Sequence, residues 1–280
     1  MGSSPITQLP SVVRPVLERY LTALCDSRVS TTGVYLYGSL CLGGFDPRAS
    51  DIDLLVLTPQ VLSTQEVNQL RHLHATLGKA VTMAHRLEIA YLPLPYATLD
   101  QTSDLIYPVV RDGSFLAAGS GDVNAVTWWQ LHHLGLVLHG PPPATLALPN
   151  SWEAVEAAMH HNLVTYWPAR AAEPGRFLDE YWVQFTVTTL CRILTTLEEQ
   201  RLEAKDEAVE QWALRLRPCW HLLLRETHRI RHVPDRPSLY NSPESRARDV
   251  EKFLCYVQRR SLGRIPTPSQ TGHEVDRDRP

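Results

Sequence analysis

The sequence carries no basic excess. Lysine and arginine number 27 against 30 aspartates and glutamates, for a formal net charge of −3. Proteins that hold duplex nucleic acid gain affinity by neutralising phosphates and carry a surplus of positive charge, so nucleic acid is not expected as the main partner. Paired cysteines are missing too. The five cysteines, at 25, 41, 191, 219 and 255, form no Cys-x-x-Cys, and their number is odd. That argues against a disulfide framework or a zinc ribbon and fits free thiols in a reducing cytoplasm. No uncharged apolar run is long enough to cross a membrane, and the opening MGSSPITQLP has neither the basic nor the apolar region of a signal peptide. No internal repeat is visible. The histidines at 132–133 and 160–161 are adjacent, and His72 and His74 are two apart; none of these spacings turns two rings toward one metal on a helix.

What is present is apolar material in abundance. With 280 residues, 44% of them hydrophobic, the chain can build one large domain or two ordinary ones. Residues 10 to 27 read as a helix, with Val13, Val16, Leu17, Tyr20, Leu21 and Leu24 at helical spacing and Pro15 in the first turn. A β-rich run over 34–37 stops at Gly38-Ser39. A second strand covers 51–57. Ser63 with Glu66 has the form of a capping box, and a helix is expected from there to about Gly78. A third strand covers 86–92. The stretch after it is less regular, and residues 123 to 138 read as a helix.

The segment 139–150, with three consecutive prolines, interrupts the pattern and is read as an extended linker. Beyond it helices are expected over 151–167, 177–200, 205–216, 218–232 and 243–260. The domains are accordingly placed at 10–145 and 150–262, with a polar, disordered tail over 263–280. The tryptophans read as core or interface anchors.

One stretch carries chemistry: Y37-G38-S39, a loop, then S50-D51-I52-D53 at the start of an apolar strand. Side chains alternate along a strand, so Asp51 and Asp53 project to one side. Two carboxylates on one face call for a cation, and hard oxygen ligands suit magnesium, which fills its remaining positions with water and substrate phosphates. Gly38 lets backbone approach a phosphate closely, and the hydroxyls of Ser39 and Ser50 can donate to phosphate oxygens. Glu88, on the third strand between Leu87 and Ile89, falls on the face opposite those two apolar neighbours. There it can join the aspartates as a further ligand or as a general base.

These residues resemble the DNA polymerase β type of nucleotidyltransferase, whose signature is Gly-Ser, a spacer, then Asp-x-Asp. The Y-L-Y-G-S, G-G-F-D-P, S-D-I-D-L-L-V and L-E-I runs are similar in order and spacing to bacterial aminoglycoside adenylyltransferases acting on streptomycin and spectinomycin. C191-R192-I193, A204-K205-D206 and F253-L254-C255-Y256-V257 extend the likeness, which covers about residues 12 to 260.

The resemblance implies an α/β fold: a mixed sheet flanked by helices, followed by an all-α helical bundle, with the active site between them. It implies an Mg2+-dependent enzyme with two magnesium ions on Asp51 and Asp53, and ATP as co-substrate. Ser39 and Ser50 would touch the phosphates, Arg192 and Lys205 would reach the nucleotide, and Glu88 would be the base. The partner is a small cationic acceptor, not a nucleic acid or a membrane, and a monomer is expected.

Two departures bear on that acceptor. Streptomycin-accepting members have a Trp where this chain reads P108-V109-V110-R111, and an Asp where it has Trp182; Asp179 or Glu180, one turn away, could substitute for that Asp, and Trp182 is a candidate to line the acceptor cleft. Spectinomycin is therefore expected before streptomycin. The rival readings are an enzyme of the same fold acting on another metabolite or a protein, and a nucleotide-binding regulatory or antitoxin-like module.

Overall fold

The computed structural model of the chain describes residues 5–97, 105–121 and 123–263. The reading of the first four residues and, past Gly263, that of the disordered tail fall outside the described residues. The chain divides into two compact units, Met1–Ala158 and Met159–Pro280.

In the first unit, α1 (Arg14–Asp26) buries Val16, Leu17, Tyr20 and Leu24, with Pro15 in its first turn where a missing N–H costs no helical bond. Then come β1 (Gly33–Leu36), β2 (Ile52–Thr58), α2 (Thr64–Ala80), β3 (Leu87–Pro93), the short α3 (Leu94–Ala97), β4 (Tyr107–Arg111), β5 (Ser114–Gly119), α4 (Ala125–His133) and β6 (Leu136–His139). Among the described residues the sheet order is β5-β4-β3-β2-β1-β6. The β2–β3 pair is parallel and the other neighbouring pairs are antiparallel. A parallel pair needs a crossover rather than a hairpin, and α2 supplies it. The capping box starts α2 as the sequence implied: Ser63 accepts from the Glu66 N–H at 3.3 Å and gives its own N–H to Glu66 Oε2 at 2.8 Å.

Both faces of the sheet are covered, which is why β2 and β3 are buried almost throughout. On one face Ile52, Leu54, Val56, Leu87, Ile89 and Tyr91 pack with Leu17 and Tyr20 of α1 and Leu70, Leu73 and Leu77 of α2. On the other, Leu55, Leu57, Ala90 and Leu92 pack with Trp128 and Leu131 of α4. The position of Asp53 and Glu88 follows from this alternation. Each is in step with the second set, at the end of that face where its apolar cover begins.

Three strands differ from the sequence expectation. The helix expected over 123–138 ends at His133, and Leu136–His139 joins β1 as an edge strand. Gly135 makes the change of direction, because a Cβ there would lie 2.9 Å from the Leu131 Cα and 3.2 Å from the Leu36 carbonyl oxygen. The stretch read as irregular holds the β4–β5 hairpin. Asp112 (φ 48°) and Gly113 (φ 69°) make its two-residue turn, the left-handed pair that Asp-Gly favours.

In the second unit, α5 (Trp152–His161, which starts before the division) continues through a π-helical turn at Asn162–Tyr166 into α6 (Trp167–Ala171). Then follow α7 (Glu180–Glu199), α8 (Lys205–Arg215), α9 (His221–His232) and α10 (Pro243–Ser261). Helix α7 packs against α8, α9 and α10, burying Val183, Val187, Leu190 and Leu194. Trp128, Trp167 and Trp212 are core residues, as read. A buried ion cluster is unannounced by the sequence. The fully buried Glu226 accepts from Arg229, Arg246, Ser238 and the Leu239 N–H. Although burial alone would raise its pKa, these donors hold it down at about 2.

Under the sheet, His74 is buried with Nε2 2.7 Å from the Tyr91 hydroxyl, which in turn meets Tyr20 at 3.0 Å. Burial lowers its pKa from 6.5 to about 4. On acidification the unfolded chain takes up this proton first, and the folded chain resists until about pH 4. The stability contribution is therefore whole above about pH 6.5 and lost on the way down to about pH 4, by at most about 3 kcal/mol. Denaturant unfolding of the wild type and of His74→Gln across pH 4–7 should show a shallower acid loss in the variant. Parallel curves would refute the assignment.

Candidate active site

The Gly-Ser end of β1 and the start of β2 are held together by backbone geometry. The Tyr37 N–H continues the β1–β2 ladder, donating to the Asp53 carbonyl at 3.1 Å. The chain then turns at Gly38 (φ 73°) into a single 3-10 turn, Gly38–Leu40. This glycine lies against Asp53, since a Cβ on it would come within 1.9 Å of the Asp53 Oδ2. Its N–H leaves the ladder and donates to Oε1 of Gln130, a buried residue of α4, at 2.8 Å. The next side chain, Ser39, has a buried hydroxyl oxygen with no hydrogen-bond partner. A buried hydroxyl left unpaired costs about 1–3 kcal/mol, a cost that a ligand oxygen or a water can remove.

The loop back to β2 is folded on itself by Asp46. Its N–H donates to Ser50 Oγ at 2.9 Å and its carbonyl accepts from the Ser50 N–H at 2.8 Å, while its carboxylate pairs with Arg48 at 3.1 Å. Ser50 is thus fixed beside Asp51, and accepting one bond leaves its O–H to donate. Asp51 is exposed, immediately before β2; Asp53 is half-buried, on it.

Glu88 is brought in by the parallel register, which sets Asp53 beside Glu88 on the neighbouring strand. The β4–β5 turn supplies a counterweight, since the Asp112 N–H donates to Glu88 Oε1 at 2.7 Å. The Glu88 pKa is raised, first by burial and then by the charges of Asp51 and Asp112. The Asp112 N–H and, less, Arg111 pull the other way. Asp51 and Glu88 therefore share one electrostatic neighbourhood, and the strand register sets Asp53 beside Glu88.

Among the described residues no three His, Cys, Asp or Glu side chains form a ready-made metal cage. Magnesium does not need one. It takes one or two carboxylates and completes its shell with water and substrate phosphates, so two aspartates beside an orphaned hydroxyl fit a magnesium–phosphate pair. Gln130 and the Asp112 amide escaped the sequence reading. The Asp112-Gly113 dipeptide was a usable signal for the second; Gln130, one of several polar residues in α4, gave none.

The remaining sequence candidates lie in the second unit. Arg192 of α7 donates through Nε to the Glu203 carbonyl at 2.9 Å, two residues before Lys205, which opens α8. The α7–α8 turn thus gathers the two cations. Asp179, Glu180 and Trp182 share the first turn of α7. Asp179 caps the helix, accepting from the Trp182 N–H at 3.2 Å. Glu180 pairs with Arg246 at 2.8 Å and with Arg229. The Arg176 guanidinium lies 4.0 Å from the Trp182 ring centre.

Residues 17–92 match the nucleotidyltransferase domain family; they contain β1, the Gly-Ser turn, both aspartates and Glu88. The chain is similar in structure to spectinomycin adenyltransferase AAD(9) from Enterococcus faecialis, solved with ATP and spectinomycin. The TM-score is 0.64 at 14% identity, over 89% of this chain and 98% of that one. A toxin–antitoxin structure with AMP-PNP aligns at 16% identity over 54% of this chain and 94% of that one, with a TM-score of only 0.29. No curated sequence matches. The fold is therefore that of a nucleotidyltransferase domain, a mixed sheet with flanking helices, followed by helices.

Gly38 gives a direct test of this geometry. Gly38→Ala combines a left-handed backbone with a clash against Asp53, whereas Gly43 has a similar φ of 79° and nothing within 4 Å of where a Cβ would stand. Gly38→Ala should cost about 1–3 kcal/mol more in unfolding free energy than Gly43→Ala. Equal losses in denaturant titrations would show that the turn does not press on Asp53.

Proposed function

We propose that this chain is a magnesium-dependent nucleotidyltransferase that moves AMP from ATP to a hydroxyl of an aminoglycoside-type antibiotic and releases pyrophosphate. The observation that carries the reading is Asp53 and Glu88 side by side on parallel strands, with the unpaired Ser39 hydroxyl at the Gly38 turn against Asp53. The family match and the ATP-bound structural neighbour support it.

In this reaction Asp51 and Asp53 would hold the metal, which when bound would supply positive charge to the phosphates. Ser39 and Ser50 donate to phosphate oxygens and orient the triphosphate. Glu88 takes the proton from the acceptor hydroxyl as that oxygen bonds to the α-phosphorus and the bond to the pyrophosphate oxygen breaks. A carboxyl pulled upward by burial and by neighbouring negative charge is the better base for this task. From the family resemblance, Arg192 and Lys205 are assigned to the nucleotide as further neutralising charges. Spectinomycin is proposed ahead of streptomycin as the acceptor, because the Trp and Asp of streptomycin-accepting relatives are absent from the corresponding stretches.

Pyrophosphate release from ATP, measured with a panel of aminoglycosides and spectinomycin, tests the reading. Release that depends on spectinomycin supports it; release with no member of the panel overturns the acceptor class, and streptomycin-only release overturns the preference.

Within the site, Asp51→Asn and Asp53→Asn should each nearly abolish transfer while leaving the melting temperature close to the wild type. Glu88→Gln should lower turnover by about 100- to 10,000-fold and weaken binding of magnesium-ATP only modestly. Collapse of nucleotide binding in that variant, followed by calorimetry, would make Glu88 a metal ligand instead of the base.

A further inference from the structure

The geometry points to Gln130 as a positioning residue for the nucleotide loop, acting through the Gly38 amide; the inference rests on the proposed nucleotidyltransferase reading of the site.

β1 has β2 on one side and β6 on the other. Tyr37 still pairs with β2 through the Asp53 carbonyl. Alternation along the strand turns the next N–H, that of Gly38, toward the β6 side. On that side the β6 pairing runs only as far as Leu36 opposite Leu136. Before Leu136 the chain is the end of α4, so no strand carbonyl faces Gly38. The Gln130 side chain provides the missing acceptor, with Oε1 at 2.8 Å.

Gln130 is well fixed for this. It is 4% exposed, and its own carbonyl accepts from both the Leu134 and Gly135 N–H groups, at 2.8 and 2.6 Å. It stands between Trp128 and Leu131, two core residues of the face on which Asp53 and Glu88 lie. A buried amide side chain aimed at one loop N–H is costly to place unless that bond is made.

The consequence is specific. The Gly38 N–H is committed to Gln130 and does not serve as a phosphate donor. The donor that this turn presents is the Ser39 hydroxyl. Gln130 holds the turn in its left-handed form against Asp53, and so fixes the Ser39 hydroxyl relative to the metal-binding carboxylate. It touches neither substrate nor metal.

The test uses Gln130→Met, which keeps the length and removes the acceptor, and Gln130→Glu, which keeps an acceptor oxygen. Amide hydrogen exchange at Gly38 is read in all three proteins, alongside calorimetric titration with magnesium and a non-hydrolysable ATP analogue. In the wild type the Gly38 amide should be protected. In Gln130→Met its exchange should quicken by about tenfold or more, and nucleotide affinity should fall by about tenfold, with the melting temperature within a few degrees of the wild type. Gln130→Glu should restore the protection. A Gly38 amide still protected in Gln130→Met, or one exposed with unchanged nucleotide affinity, would overturn the positioning role alone. A wild type that binds no nucleotide, whatever the exchange shows, would overturn the reading of the site and the role with it.

Discussion

Two carboxylates side by side on parallel strands repel one another, and partial burial weakens the screening that water gives them. The register of β2 and β3 imposes that arrangement on Asp53 and Glu88, and Asp51 adds a third charge at the strand's start. Around them the first unit shows a series of local answers to this one constraint. The Asp112 N–H is turned onto Glu88, the Gly38 turn is pressed against Asp53 with no side chain between, and both aspartates sit where the strand's apolar cover ends. None of these supplies a full positive charge. On the proposed reading, magnesium brings that charge and the nucleotide brings the phosphate oxygens that complete its shell.

The pieces that answer the charge come from different parts of the chain, which explains why some were legible in the sequence and some were not. Alternation within β2 and β3 is a local property, so Asp51, Asp53 and Glu88 were readable from period two and their apolar neighbours. The capping box of α2 is also local, and Ser63 with Glu66 announces it. The β4–β5 hairpin was readable in principle from Asp112-Gly113 but lay in a stretch with weak alternation: the pattern of β5 is half exposed, so its side chains carry no strong apolar signal. The strand β6 was hidden for the opposite reason. Leu136, Val137 and Leu138 extend the apolar run of α4, and only the packing of Gly135 against Leu131 and Leu36 shows that the helix has to stop. A hydrogen bond such as that of Gln130 to Gly38, between residues 92 apart, has no sequence signature at all.

The second unit raises a different balance. Glu226, Arg229 and Arg246 are nearly excluded from water, and burying ions costs several kcal/mol each before pairing is counted. The cluster meets that cost by satisfying nearly every group: Glu226 accepts from two guanidiniums, a hydroxyl and a backbone N–H, and Arg229 donates to the Pro234 and Arg236 carbonyls at 3.0 and 2.9 Å. Such a cluster contributes little net stability against an apolar replacement, but it admits few alternative arrangements. It ties α9, α10 and the start of α7 in one geometry, and the start of α7 is where the sequence placed its acceptor candidates.

That has a bearing on which acceptor the protein can favour. Of the carboxylates offered in the first turn of α7, Glu180 is already balanced by Arg229 and Arg246. Asp179 faces the N-terminus of its own helix and accepts from it, where the helix dipole offsets its charge. Trp182, one turn on, carries the Arg176 guanidinium on its ring. Both carboxylates of this turn thus have partners within the protein, and the Arg176 guanidinium on the Trp182 ring is itself paired with Glu173. On the proposed reading, a guanidino-bearing acceptor that met this turn would gain little, because the carboxylates there already have partners. A compact acceptor recognised by shape and hydroxyl contacts loses nothing by the same arrangement. On the proposed reading, the ion pairs that hold the helices together also weigh the choice toward spectinomycin.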